Sequence, residues 1–167
     1  TASVTFTNVP PALTASAPSD NATGVSISAN IVLTFSEAVD AESGNIVLKK
    51  SSDDSTVQSF DVTSDISGSG TTTITINPSS VLEASTGYYL LIDGSAFDDT
   101  DGASYAGIST TSGLNFSTAA DSTGPTMTIT AAEGSDGFTS DDATLSLTFT
   151  SNEATSNFSA GDITVSN

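Results

Sequence analysis

This sequence is dominated by short runs in which every second residue is apolar. This period of two restricts the folds that the chain can adopt. In residues 31–36, IVLTFS, the side chains of Ile31, Leu33 and Phe35 would lie on one side of an extended chain. Because successive side chains of a strand face opposite ways, this period of two predicts a half-buried β-strand. The same alternation recurs at residues 46–48, 60–62, 74–76, 88–92, 114–116, 127–129, 145–149 and 163–165. No segment keeps a period of 3.6, so the chain is predicted to be all-β.

Clusters of turn-forming residues separate these runs, among them PSDNATG, AESG, SSDDS, SGSG and DDTDG. Many short strands joined by such turns indicate an antiparallel β-sandwich. The Gly-rich SGSG at 67–70 lacks the lysine and the following helix of a phosphate-binding loop, so it is predicted to be a hairpin turn. Leu82, Thr86 and Tyr88 have the spacing of a tyrosine corner, in which the ring packs and its hydroxyl bonds upstream backbone. The alternative is an ordinary aromatic residue in a strand.

An internal repeat divides the chain. Residues 33–48, LTFSEAVDAESGNIVL, align with residues 147–165, LTFTSNEATSNFSAGDITV. The chain is therefore predicted to come from a tandem array, with the last strand of a preceding unit or a leader (1–8), a complete sandwich (9–120), a linker (121–125) and the opening strands of a second unit (126–167). Opening strands alone would leave a sheet edge and an apolar face uncovered. Completion by another segment or chain, cleavage, and interruption by a guest domain all remain open.

The charge balance excludes several classes of function. Of 167 residues 20 are acidic, and Lys49 and Lys50 are the only basic ones, which gives a formal charge of −18. Nucleic acids and anionic membranes are excluded as partners because both are bound through lysine and arginine. The chain has no Cys and no His, which excludes thiol nucleophiles and histidine-based triads, and no apolar run is long enough for membrane insertion. The acids fall in turns, so no catalytic residue is predicted and the chain is expected not to be an enzyme.

The order of several motifs resembles that of a known family. These motifs are PSDNATGVSISANIVLTFSEAV, GNIVL, TITINPSSVLEASTGYYLLIDGSAFDD and YAGISTTSGLNFST, within residues 12–119. They are similar to the bacterial Ig-like domains called SwmB-like or Big-type repeats, which recur in large surface adhesins, including calcium-dependent RTX adhesins and ice-binding adhesins. The resemblance implies a seven-stranded Ig-like sandwich that acts as a spacer in a protein of the bacterial cell surface. It does not by itself imply a ligand.

The stretch FDDTDGASYAG, which begins at Phe97, places Asp98, Asp99 and Asp101 within four positions, with no Lys or Arg nearby. Crowded carboxylates repel one another, and hard oxygen ligands are those that Ca²⁺ prefers. The loop is not an EF-hand, because Phe97 and Ile108 would fall at its first and last ligand positions. Ca²⁺ is the predicted cofactor of this turn. The alternative is a solvated turn whose Asp side chains cap their own backbone.

Other acids are predicted to join this turn or to repeat its role. Loops between alternate pairs of strands cluster at one end of a sandwich, which favours Glu37, after the second strand, and Asp121, in the linker, as further metal ligands. A cation there would tie the linker to the loops and stiffen the angle between units. In the second unit the positions predicted to repeat this role are Glu153, Asp162, Asp141 and Asp142. Weaker candidates in the first unit are Asp20, Asp40 and Glu42. For each of these single positions an ordinary solvent-exposed acid is the favoured alternative.

The whole sequence predicts a non-enzymatic, extracellular extender of a bacterial cell-surface adhesin, made rigid by Ca²⁺ at its loops and linker. Its partners would be the neighbouring Ig-like domains of the same polypeptide. One alternative is a module that itself binds glycan or protein on a surface, for which Tyr105 beside the acidic turn is the candidate aromatic platform. A tyrosine packed in the core is the favoured interpretation of this residue. Another alternative is a host scaffold that is split by an inserted ligand-binding domain.

Overall fold

The computed structural model describes residues 8–132, 134, 141, 144–154 and 158–164. The chain divides into two compact units, Thr1–Asp121 and Ser122–Asn167. The strand predicted for residues 1–8 lies outside the described residues, apart from Asn8, and so do Asp142 and Val165. Over the described part of the chain, no helix is both long enough and apolar enough to cross a membrane.

The alternating runs of the first unit become strands, and the turn-forming clusters separate them. In chain order the described strands are β1 (Leu13–Ala17), β2 (Ala22–Val25), β3 (Ile31–Ala41), β4 (Asn45–Lys50), β5 (Thr56–Asp61), β6 (Ile66–Ser67), β7 (Thr71–Ile76), β8 (Gly87–Ile92), β9 (Phe97–Asp98) and β10 (Asn115–Thr118). One sheet has the order β1-β3-β7-β6, with β9 paired to β3, and the other has the order β2-β10-β8-β4-β5. The predicted hairpin turn SGSG joins the antiparallel strands β6 and β7.

The first strand of the sandwich is divided between the two sheets. β1 pairs antiparallel with β3, whereas β2 pairs parallel with β10 in the opposite sheet. Pro18 follows β1 and has no backbone N–H, so it cannot continue the ladder, and the Ala17–Pro18 peptide bond is cis. The chain then turns through Asn21, whose N–H donates to the carbonyl of Asn115 over 2.7 Å. This division, together with the short strands β6 and β9, explains why the unit has more strands than the seven that the family resemblance implies.

The apolar residues of the alternating runs fill the space between the two sheets. Those predicted to face inward in the first unit are each at most 3% exposed, namely Ile31, Leu33, Phe35, Ile46, Leu48, Phe60, Val62, Ile74, Ile76, Tyr88, Leu90, Ile92, Leu114 and Phe116. Burial of one such side chain stabilises a fold by about 1.5–3 kcal/mol. The predicted all-β, Ig-like sandwich is therefore confirmed for the first unit.

The chain enters and leaves the first unit at opposite ends of the sandwich. β8 starts at Gly87, which pairs with Ser117 of β10, so the chain leaves through Ala119 beside the start of β8. The other end of β8, at Ile92, leads to β9, and β9 pairs with the end of β3. There the side chain of Asn8 contacts the turn that follows β9. We call the end that holds Asn8 and β9 the N-terminal pole, and the end that holds Ala119 the C-terminal pole.

The tyrosine corner predicted at Tyr88 is confirmed at the C-terminal pole. The ring of Tyr88 is buried and stacks on Phe116, with 5.7 Å between the ring centroids. Its hydroxyl accepts a hydrogen bond of 2.9 Å from the backbone N–H of Glu83. Thr118 Oγ1 donates to the carbonyl of Glu83 over 2.6 Å and accepts from the N–H of Thr86 over 3.0 Å. Uncharged groups that satisfy one another thus hold the tyrosine corner together.

The described part of the second unit contains a β-hairpin. Strands β11 (Met127–Ala131) and β12 (Leu147–Ser151) pair antiparallel, which confirms two of the strands predicted there, and a 3₁₀ turn covers Ala160–Asp162. A third strand predicted at 163–165 is wrong at residues 163 and 164, which follow that turn in irregular structure. The predicted half-burial also fails, because two strands alone provide no opposing layer for an apolar face. The exposed apolar residues include Met127, Ile129, Leu145, Leu147, Phe158 and Ile163.

Candidate metal centre

The acidic turn, which we define as residues 97–105, is a tight hairpin at the N-terminal pole. The N–H of Asp99 donates to the carbonyl of Ala103 over 3.0 Å, and the N–H of Tyr105 donates to the carbonyl of Phe97 over 2.8 Å. Between them Gly102 has a φ of 84°, in the left-handed region that glycine adopts without a Cβ clash. The turn therefore folds back sharply and brings its acidic side chains close to its own backbone.

Asp99 is the central side chain of this turn. It is only 6% exposed. Its Oδ1 accepts hydrogen bonds from the N–H groups of Asp101 (2.9 Å) and Ala103 (2.8 Å) and from Nδ2 of Asn8 (3.2 Å). These bonds, the one from Ala103 above all, hold the pKa of Asp99 below its ordinary value, although burial acts in the opposite direction. Asp99 is therefore a buried anion, and one of its two oxygens is well solvated by the protein.

The other oxygen of Asp99 has no such partners. In the described part of the chain, three buried side-chain oxygens lack a hydrogen-bond partner, and they are Asp98 Oδ1, Asp99 Oδ2 and Glu153 Oε1. All three belong to residues that the sequence predicts as metal ligands. A buried charged oxygen without a partner is costly, so such atoms are expected to meet a cation or an ordered water. Two of the three belong to the acidic turn.

Asp98 faces a second acid across the sheet. It pairs with Asp40 of β3 in the antiparallel ladder and bridges Ser104 on its other side. Side chains directly opposite each other in such a ladder have Cβ atoms about 4.5–5.5 Å apart, and like charges there repel. The structure thus brings Asp40, a weaker candidate by sequence, beside a strong one.

Glu37 and Asp121 do not take the positions that the sequence predicts. Glu37 does not follow the second strand but lies within β3, which continues to Ala41 beyond an irregularity of its pairing with β7 between Thr34 and Val39. Asp121 comes two residues after Ala119 and so belongs to the C-terminal pole, away from the acidic turn. The predicted grouping of Asp121 with Asp98–Asp101 is therefore wrong, because β10 carries the chain to the opposite end of the sandwich.

Two other predicted acids are bound to local partners. Asp20 Oδ1 accepts from the backbone and side-chain N–H groups of Asn115, each over 3.0 Å, so it fastens the start of β10. Asp162 Oδ2 accepts from the N–H of Ser159 over 2.9 Å and from its hydroxyl over 3.0 Å, which caps the 3₁₀ turn. Both match the alternative role in which an acid caps backbone.

The described residues contain no group of three or more acidic side chains that could hold a metal ion by themselves. A cation at the acidic turn would therefore need other oxygens to complete its shell. Ca²⁺ accepts 6–8 oxygen ligands, which include backbone carbonyls, Asn side chains and waters as well as carboxylates. The residues present fit such a mixed site better than a cage of carboxylates.

Tyr105 is not an exposed platform. It is 7% exposed and packs edge-on against Phe35, with 5.2 Å between the ring centroids. Burial raises the pKa of its hydroxyl. The packed tyrosine that the sequence favours is therefore confirmed, and the alternative of Tyr105 as a sugar-stacking surface is wrong, because the ring belongs to the core.

Two surface depressions of the first unit carry little charge. One of about 180 Å³ lies between residues 27–29 and 77–81, and another of about 400 Å³ lies along β1 near Gly113. The first is lined by no acid, and the second only by Asp20. Neither therefore places two carboxylates where they could act together on a substrate.

The split first strand, the two packed sheets and the tyrosine corner define an Ig-like β-sandwich. The model of the bacterial Ig-like domain family matches residues 7–118, and the chain belongs to this family. No curated protein matches the chain. Among solved structures, the chain is similar to the crystal structure of the S-layer protein rSbsC, with 20% sequence identity and a TM-score of 0.43 over 74% of this chain. The chain spans 15% of the length of that protein.

Proposed function

We propose that this chain is a non-enzymatic extender of a large bacterial surface adhesin of the calcium-dependent RTX type, located outside the cell and linked to neighbouring Ig-like domains. The path of the chain through the first unit carries this proposal. Asn8 lies at the N-terminal pole and Ala119 at the C-terminal pole, at opposite ends of β8. A domain whose chain enters at one end and leaves at the opposite end extends a row of such domains by its own length. The six residues of β8 alone span roughly 20 Å.

Ca²⁺ at the acidic turn is the second part of the proposal. The buried oxygens Asp98 Oδ1 and Asp99 Oδ2 lack partners there. Both lysines lie at the end of β4, where Lys50 pairs with Tyr88 near the C-terminal pole and its Nζ lies 2.6 Å from Glu83 Oε1. No basic side chain of the protein is therefore placed to neutralise the acidic turn. A divalent cation that binds the folded state would do so and would stabilise it by mass action.

The acidic turn suits Ca²⁺ better than Mg²⁺ because of the coordination geometry that each ion requires. A site made of one tight turn and its neighbours cannot impose the near-ideal octahedral geometry that Mg²⁺ demands, whereas Ca²⁺ tolerates irregular shells of mixed oxygens. Glu153, whose Oε1 is also buried without a partner, is the proposed ligand in the second unit. Stiffening of the outgoing linker by Ca²⁺ stays a prediction of the sequence and would need a separate ion, because Asp121 follows Ala119 at the C-terminal pole, opposite the acidic turn.

Thermal unfolding of the whole chain in Ca²⁺, in Mg²⁺ and in a chelator tests the proposal. We expect the midpoint to be highest in Ca²⁺, lower in Mg²⁺ and lowest in the chelator. Small-angle scattering in the same solutions should show a narrower distribution of molecular lengths in Ca²⁺. Identical midpoints in all three solutions would remove the calcium part of the proposal and leave the extender.

A further inference from the structure

Asn8 is the residue at the acidic turn that sequence patterns do not reveal. Its Nδ2 donates a hydrogen bond of 3.2 Å to Asp99 Oδ1, across 91 residues of chain. The carbonyl oxygen of the same planar amide is a ligand type that Ca²⁺ accepts. The second oxygen of the Asp99 carboxylate is the one that is buried without a partner, on a side chain only 6% exposed. The amide that carries this neutral oxygen is therefore hydrogen-bonded to the carboxylate that holds the unpartnered oxygen.

Asn8 also begins the segment by which the chain reaches the sandwich. This incoming segment, residues 8–12, ends at Ala12, whose N–H donates to Ser36 Oγ over 3.0 Å and whose carbonyl accepts from the N–H of Ser36 over 2.9 Å. Between these two fixed points lie Pro10 and Pro11, which have no backbone N–H and restrict φ. Pinning both ends of so stiff a segment fixes the direction in which the chain arrives.

We propose that the side-chain carbonyl of Asn8 joins Asp99 as a ligand of the cation at the acidic turn, so that cation binding fixes the incoming segment. This inference rests on the proposed function, because it requires that the turn bind a cation. It also moves the stiffening action of that cation from the outgoing linker at Asp121 to the segment that precedes β1.

Calorimetric titration of the full chain with Ca²⁺ tests the proposed ligand. We expect Asn8→Ala to weaken Ca²⁺ binding about tenfold or more, an effect typical of groups that orient or complete a metal site. Asn30→Ala, which removes an exposed amide that immediately precedes β3, serves as the matched control and should bind Ca²⁺ like the wild type. Hydrogen exchange at the N–H of Val9 should slow on Ca²⁺ addition in the wild type and in Asn30→Ala, but not in Asn8→Ala.

Asn8→Asp separates a metal ligand from a simple hydrogen-bond donor. Without Ca²⁺ the new carboxylate and Asp99 repel each other, so the thermal midpoint of the Asn8→Asp variant should fall below that of the wild type. With Ca²⁺ the added charged ligand should bind the ion, so the Ca²⁺-induced rise in midpoint should exceed that of the wild type. If Asn8 only donates a hydrogen bond to Asp99, Asn8→Asp should be less stable than the wild type both with and without Ca²⁺. Hydrogen exchange at the N–H of Val9 should then be fast in both solutions.

The outcomes separate this inference from the proposed function. Wild-type binding of Ca²⁺ together with equal affinity of Asn8→Ala would overturn the role of Asn8 and leave the calcium site standing. Absence of Ca²⁺ binding by the wild type would overturn both. Weakened binding in Asn8→Ala, with a larger Ca²⁺ response in Asn8→Asp, would support the inference.

Discussion

The two poles of the first unit are held together by different chemistry. At the C-terminal pole, the hydroxyls of Tyr88 and Thr118 exchange hydrogen bonds with backbone groups of Glu83 and Thr86. At the N-terminal pole, the carboxylate of Asp99 collects three N–H donors on one oxygen and leaves the other buried without a partner. The first pole satisfies its buried polar side chains with its own hydrogen bonds, whereas the second buries a carboxylate oxygen for which the described residues supply no hydrogen-bond donor.

This difference bears on how such a module can respond to its surroundings. Uncharged hydrogen bonds inside a fold depend little on the ions in solution, whereas a buried carboxylate without a counter-charge depends on them strongly. We therefore expect the hydrogen bonds of the tyrosine corner at the C-terminal pole to keep the same strength with and without divalent cations. The N-terminal pole should tighten when a divalent cation binds.

The largest expected effect belongs to the C-terminal pole. Tyr88→Ala removes a fully buried ring that stacks on Phe116, and by comparison with other large-to-small core substitutions it should destabilise the fold by about 3–5 kcal/mol. Urea unfolding in Ca²⁺ and in chelator should give the same loss. A loss that depended on Ca²⁺ would show that the two poles are coupled.

Tyr88→Phe is the control that isolates the corner itself. It keeps the ring and leaves the N–H of Glu83 without its acceptor, which should cost about 1–3 kcal/mol. If Tyr88→Phe were as stable as the wild type, the hydroxyl would not hold this pole.

The next largest effect belongs to the N-terminal pole. At a Ca²⁺ concentration of 100 times the Kd, the wild type should gain about 2.7 kcal/mol of unfolding free energy over the chelator. Asp99→Asn should lose most of this gain because it removes the negative charge that binds the cation. Its amide oxygen can still accept the N–H bonds, so the turn itself should persist. Asp121→Asn, at the C-terminal pole, should keep the gain in full. An equal loss in both variants would place the cation elsewhere.

The sandwich could be predicted because its strands are simple. Each inward position of the alternating runs in the first unit is buried, since two facing sheets give every strand one apolar side. What the sequence could not show is how strands continue and where loops meet. Glu37 follows the alternating run 31–36 and is expected beyond its strand, yet β3 continues past it to Ala41 with an irregular pairing between Thr34 and Val39. In the second unit the alternation predicts β11 and β12, and the exposure of Ile129 matches the uncovered apolar face expected of opening strands alone.

The candidate site was predictable only in part for the same reason. Asp98 and Asp99 are neighbours in sequence, so their crowding is visible without a structure. Asp40 comes beside Asp98 through the pairing of β3 with β9, and Asn8 reaches Asp99 from the far end of the unit. Contacts of this kind depend on the register of strands and the path of the chain, for which no local pattern exists.

A smaller effect is expected at the pair of facing acids. Asp40→Asn removes one of two like charges in register across the ladder, so in chelator it should stabilise the fold by about 0.2–1 kcal/mol. In Ca²⁺ the gain should vanish or reverse if the ion already neutralises Asp98. Glu42→Gln, which makes the same change of charge at an exposed position of the same pole, should give no gain in either solution. Urea unfolding of both variants measures the difference.

The smallest effect concerns an acid of the N-terminal pole that needs no cation. Asp61 ends β5 opposite Asn45, and its Oδ1 accepts from the hydroxyl (2.7 Å) and the N–H (2.8 Å) of Thr63. The Thr63 hydroxyl, followed by its N–H, holds the pKa of Asp61 below its ordinary value. The ionised carboxylate therefore favours the fold at neutral pH, and this contribution disappears as the pH falls from about 4 through the lower folded value.

NMR titration of the Asp61 carboxyl carbon should show this lowered pKa equally in Ca²⁺ and in chelator. Thr63→Val should raise the pKa part of the way toward the ordinary value, because it removes the hydroxyl and keeps the N–H. A pKa that moved with Ca²⁺ would mean that the ion reaches Asp61 as well as Asp99. In that case Ca²⁺ would act on the whole N-terminal pole, including the carboxylate of Asp61, which already has hydrogen-bond donors.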